Sequence, residues 1–148
     1  VLPWFSVPPP WKVDMAKIVD VEGIGAAHGA KLQKAGVAST AALLREGATK
    51  AGRTKLAKST GVSEKLILEW VNHADLMRIK GVGSEYSDLL EAAGVDSVPE
   101  LSKRVPGNLH AKMAEVNATK KLVRQLPSEK AVAGWVKQAG ALEKIVKH

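Results

Sequence analysis

The sequence predicts an all-α fold: two tandem five-helix units preceded by an extended, proline-rich N-terminal arm. Three observations lead there. Strands would appear as alternating β-branched runs, and none persists for more than a few residues. From Val13 onward, Ser or Thr on one side and Gly on the other bracket segments whose apolar residues recur at helical spacing. The second half of the chain then repeats the first at two fixed offsets.

The arm covers residues 1–13 and opens with "VLPWFSVPPPWK". Pro3, Pro8, Pro9 and Pro10 exclude a helix, and the run Pro8–Pro10 favours an extended polyproline conformation. Trp4, Phe5 and Trp11 are costly to leave in water. Such a segment suits two roles: folding back over an apolar groove of its own chain, or docking on a protein partner through those three rings.

The first unit, residues 14–75, starts with a helix over 13–21 that places Ala16, Ile18 and Val19 on one side and leads into a glycine turn. Ala27 to Ala35 is helical and stops at Gly36. Ser39 caps "TAALLRE" and Gly47 ends it; Thr49 opens "KAGRTKLAKST" and Gly61 closes it. Ser63 caps "EKLILEWVNHA", in which Leu66, Ile67, Trp70, Val71 and Ala74 form an apolar stripe. The second unit, residues 76–148, keeps this order. A shift of 58 lays Gly23-Ile24-Gly25 on Gly81-Val82-Gly83, Ala35-Gly36-Val37 on Ala93-Gly94-Val95, and Ser39 on Ser97. A shift of 65 lays "SEKLILEWVNHA" on "SEKAVAGWVKQA", pairing Trp70 with Trp135 as core anchors. The offsets differ by seven residues, which places an expansion around "RVPGNLH" or "ATKKLVRQLP".

Each unit carries one glycine turn. The first runs Val21, Gly23, Ile24, Gly25, Gly29, Leu32; the second Ile79, Gly81, Val82, Gly83, Ser87, Leu90. The paired glycines allow backbone angles closed to other residues, the hydrophobe between them plugs the gap between two helices, and Gly29 or Ser87 lets those helices cross closely. The pattern resembles the helix-hairpin-helix motif. From about residue 14 the chain resembles a family of bacterial proteins under a domain-of-unknown-function label, DUF4332, most closely in "ADLMRIKGVGSEYSDLLEAAGV". The resemblance implies tandem helix-hairpin-helix units. In helix-hairpin-helix proteins it further implies that the turn holds a nucleic-acid phosphate on backbone amides without reading bases.

Composition points the same way. Of 148 residues, 22 are Lys or Arg and 15 Asp or Glu, a net charge of +7 that draws the chain to polyanions. Around the first turn stand Lys17, His28, Lys31 and Lys34, against Asp20 and Glu22; around the second stand Arg78 and Lys80, but the helix after it carries Glu85, Asp88 and Glu91, which repel phosphate. The candidate nucleic-acid contacts are therefore Gly23, Gly25 and Ala26 with Lys31 and Lys34, joined by Arg53 and Lys55 from the basic stretch "REGATKAGRTKLAK". A second basic stretch lies between Thr119 and His148, and a solvated helix face explains either stretch equally well. The second turn reads as structural.

Catalysis finds no support. The chain has no cysteine, and His28, His73, His110 and His148 sit at no metal spacing. No nucleophile elbow, P-loop or dinucleotide fingerprint occurs. No catalytic residue, metal or cofactor is expected. No apolar run approaches the roughly 18–20 residues that cross a bilayer, and no secretory signal is evident, so a cytoplasmic location is expected. Two functions of different classes follow: a non-catalytic, sequence-nonspecific nucleic-acid-binding module, or a helical protein–protein adaptor whose turns are architectural and whose arm docks the partner.

Overall fold

The computed structural model describes residues 24–147. Among them the chain forms eight helices and no strand: α1 (Gly25–Lys34), α2 (Thr40–Gly47), α3 (Lys50–Thr60), α4 (Glu64–Leu76), α5 (Ser84–Ala92), α6 (Val98–Ser102), α7 (Pro106–Lys120) and α8 (Glu129–Ala141). The expected arm and the helix over 13–21 lie outside the described residues, as do Gly23, Trp4, Phe5 and Trp11.

Local chemistry sets the helix starts. The hydroxyls of Ser39, Thr49, Ser63, Ser97 and Ser128 each accept a hydrogen bond from the backbone amide three residues on, at 3.0–3.3 Å. Each satisfies one of the amides a helix start leaves unpaired, an interaction of about 1 kcal/mol. The ends differ between the halves. Gly61 closes α3 in the left-handed conformation at φ 74°, whereas Lys121 closes α7 at φ 53°. For a residue with a Cβ that conformation costs roughly 1–2 kcal/mol.

The helices enclose two cores. In the first, Trp70 packs with Ile24, Leu32, Val37, Leu43, Leu44, Leu56 and Ile67. In the second, Trp135 packs with Ile79, Val82, Leu89, Leu90, Val98, Leu101 and Met113. The two offsets read from the sequence meet here. His28 lies 5.1 Å from Trp70, and Tyr86 lies 5.3 Å from Trp135, in similarly tilted ring pairs. Residues 28 and 86 correspond under the 58-residue shift, and 70 and 135 under the 65-residue shift.

The second half carries its seven additional residues in two places. α7 has 15 residues where α3 has 11, and the segment 121–128 that follows replaces the short link 61–63, against a shorter α6. Three side chains hold that longer segment. Asn117 exchanges two hydrogen bonds with the backbone of Val123, Tyr86 donates to the Gln125 carbonyl, and His110 donates to the Pro127 carbonyl.

The division at 75/76 falls in the most deeply buried part of the chain, since every residue from 70 to 79 is buried. Residues 76–148 contribute four helices. The helix leading into the second turn is the end of α4, which serves both halves. At this junction the Asp75 carboxylate meets Arg78 Nη1 at 2.8 Å and accepts from the Val98 amide at 2.9 Å. Arg78 Nη2 donates to the Glu143 carbonyl at 2.8 Å. Beyond α8 the chain returns to the first core: Val146, 2% exposed, packs there, and the Lys147 amide donates to the Ala48 carbonyl at 2.7 Å. The tail thus belongs to the first core in space though it follows the second in sequence.

Two substitutions test this packing by thermal or urea unfolding. Trp70→Ala removes a ring only 1% exposed and is expected to destabilise by about 3–5 kcal/mol. Lys121→Gly relieves the left-handed strain at the end of α7 and is expected to stabilise by about 0.5–1 kcal/mol.

Candidate functional site

The described part of the first turn begins at Ile24. Ile24 is buried at 2% exposure and anchors the turn, while Gly25 and Ala26 are exposed. Gly25 has φ 64°, a left-handed angle that suits glycine, and a Cβ there would meet nothing within 4 Å. Among the described residues no side chain caps α1, and its first turn contains no acidic residue. The amides of that first turn lie at the positive end of the helix dipole.

The second turn has the same outline and a different environment. The Lys80 amide donates to Gln138 Oε1 at 3.0 Å, and Gln138 Nε2 donates back to the Lys80 carbonyl at 3.3 Å. Gly81, at φ 94°, lies so close under Trp135 that an added Cβ would come within 2.9 Å of the indole Nε1. Glu85 occupies the first turn of α5. Helix α8 covers this turn with its own side chains.

The structure redistributes the cationic candidates. Lys31 and Lys34 are exposed but stand on the last turn of α1, about 9 and 14 Å along the axis from Gly25 at 1.5 Å per residue. They complement the negative end of that helix, more than a turn from the amides at its start. Arg53 is only 5% exposed, and its guanidinium donates to the Gly47 carbonyl and to the Lys147 carbonyl, each at 2.9 Å. It holds the C-terminal tail and leaves the set of surface contacts. Lys55 is exposed on α3, about 160° round the helix from Arg53. Gly23, Trp4, Phe5 and Trp11 fall outside the described residues.

Residues 22–142, a range holding both turns and both core tryptophans, match the family described as a domain of unknown function (DUF4332). The chain belongs to that family. Its match ends just before the tail that docks on the first core. No curated protein and no solved structure matches the chain. Among the described residues no helix is long and apolar enough to cross a membrane.

One polar cluster escaped sequence reasoning. His73 Nδ1 lies 3.0 Å from Ser87 Oγ, and His73 Nε2 lies 2.6 Å from Glu91 Oε2. The Ser87 hydroxyl donates to the Ser84 carbonyl at 2.8 Å, so it accepts from the imidazole. A Ser-His-carboxylate set normally raises the question of nucleophilic catalysis. Here Ser87 is 0% exposed and its proton is engaged by a backbone carbonyl, so no substrate reaches it. The cluster fastens α4 to α5. Its histidine and its carboxylate lie 18 positions apart, beyond the i+3 and i+4 spacings a single helix would give. Among the described residues no group of three or more His, Cys, Asp or Glu is placed to hold a metal ion.

The two turns predict different tolerance to a methyl group. Gly81→Ala places Cβ against the Trp135 ring as well as straining the backbone and is expected to cost about 2–4 kcal/mol. Gly25→Ala meets open space and should cost only the left-handed penalty, about 1–2 kcal/mol. Urea unfolding of the two variants side by side checks the difference.

Proposed function

We propose that the protein is a non-catalytic, sequence-nonspecific nucleic-acid-binding module that holds backbone phosphates on the turn at the start of α1. The contrast between the two turns carries this reading. The second has its amide and carbonyl engaged by Gln138 and an acid beside it; the first, from Ile24 on, exposes Gly25 and Ala26 and among the described residues has no cap and no acid in its first helical turn. A phosphate on the Gly25 and Ala26 amides places Lys31 and Lys34 farther along the strand, roughly three to four phosphates away at about 3.4 Å of rise each. The net charge of +7 supplies the long-range attraction. Contacts to the backbone position a protein without reading sequence, so the grip should be indifferent to base composition.

Fluorescence anisotropy with short duplex and single-stranded DNA at two salt concentrations tests this. Affinity is expected to fall steeply between about 50 and 200 mM salt, because each neutralised phosphate releases a counterion. Lys31→Ala with Lys34→Ala should weaken binding and reduce the log–log salt slope by about 1–2, near 0.9 per lost duplex contact. Glu85→Lys with Asp88→Lys, which reverses charge beside the second turn, should strengthen binding. Absence of binding at about 50 mM salt, where the electrostatic contribution is large, sinks this reading in favour of an adaptor that docks a protein through the arm.

A further inference from the structure

A cleft between α3 and α4 gathers positive charge that the fold itself does not neutralise. It encloses about 370 Å³ and is lined by Lys50, Arg53, Glu64, Lys65 and Leu68. Lys50 and Lys65 are exposed, while Arg53 forms a buried part of the wall. The two hydrogen-bond acceptors of Arg53 are neutral carbonyls, those of Gly47 and Lys147, so its full charge persists in the wall. Among the described residues none of these three cations forms an ion pair. The single carboxylate, Glu64, is held by the Thr54 hydroxyl.

Charge is also placed here at a cost to the fold. Lys50 begins α3, and no acid in the first turn offsets it at that positive helix end. A cation there opposes the helix dipole. Sealing the Arg53 charge from water without a carboxylate adds to that cost. A ligand carrying negative charge relieves both.

We propose that this cleft binds a phosphate ester with an apolar body. Two flexible ammonium groups, Lys50 and Lys65, reach the phosphate; the fixed charge of Arg53 contributes its field from the wall; Leu68 offers the apolar surface for the ester's organic part. With one carboxylate against three cations, the cleft carries a surplus of two positive charges, which matches a phosphate dianion. Its volume lies at the small end of ligand sites, which run from about 300 to 1,000 Å³. This proposal does not depend on the turn at α1, which involves none of these residues.

The test is an NMR titration of the full chain with phenyl phosphate and, separately, inorganic phosphate, followed on the backbone amides. Phenyl phosphate is expected to shift the signals of residues 50–54 and 64–68 saturably and to bind more tightly than inorganic phosphate. Leu68→Ser should erase that preference while leaving inorganic phosphate binding in place. Lys50→Glu with Lys65→Glu, both solvent-exposed, should weaken phenyl phosphate at least tenfold without lowering the melting temperature. A short DNA duplex added at saturation distinguishes the source of the phosphate: displacement identifies nucleic-acid backbone, and coexistence identifies a small ester. Shifts spread over every lysine-bearing helix without saturation would overturn the proposal, as would unchanged affinity in the double variant. Failure of DNA binding at Lys31 and Lys34 leaves this result untouched, so the two readings fail separately.

Discussion

A carboxylate and a guanidinium sealed from water, Asp75 and Arg78, hold together the segments that meet between the two cores. Their side chains are 1% and 3% exposed. One carboxylate oxygen faces Arg78, and the other accepts from the first amide of α6; the second guanidinium nitrogen reaches the Glu143 carbonyl. The end of α4, the start of α6 and the beginning of the tail are thereby fixed to one point. A buried pair of this kind adds little net stability over an apolar replacement, yet removing one partner strands a charge and costs about 3–5 kcal/mol. Its contribution is therefore to geometry: α6 and the tail can leave the junction in few other directions without losing a partner for a buried charge.

Everything downstream of that point follows from where the tail is sent. Leaving the junction at Glu143, it crosses to the first half, buries Val146 among that core's apolar residues and ends on Arg53. Two arginines thus receive one strand of chain, Arg78 at Glu143 and Arg53 at Lys147. The first core is completed by residues that lie beyond the second. Each half thereby supplies packing partners to the other. The unbroken burial from Trp70 to Ile79 agrees with this.

What the sequence made legible is what depends on near neighbours. The caps at Ser39, Thr49, Ser63, Ser97 and Ser128 are contacts over three residues; the first three are read directly, and Ser97 and Ser128 are the counterparts of Ser39 and Ser63 under the two shifts. The two tryptophans were readable as core because each sits on an apolar helical stripe, and both are buried. Arg53 was misplaced for the opposite reason. In "KAGRTKLAK" it looks like one more surface cation, and the carbonyl that buries it lies 94 residues on. Lys31 and Lys34 were grouped with the first turn by their sequence distance, although the rise of a helix carries them to its far end. Nonlocal partners and axial distance, rather than residue type, separate the candidate site as read from the site as built.

One helix position takes different partners in the two halves. Under the 65-residue shift Gln138 corresponds to His73. Gln138 bends back to the turn of its own half and engages both the amide and the carbonyl of Lys80. His73 has one ring nitrogen at Ser87 and the other at Glu91, both on α5 of the next half. The same helix position thus carries an amide that closes a turn within its own half and an imidazole that bridges to the next half. An amide offers a donor and an acceptor side by side, which suits a backbone carbonyl and N–H together. An imidazole carries its two nitrogens on different edges of the ring, which suits two side chains one helical turn apart on α5.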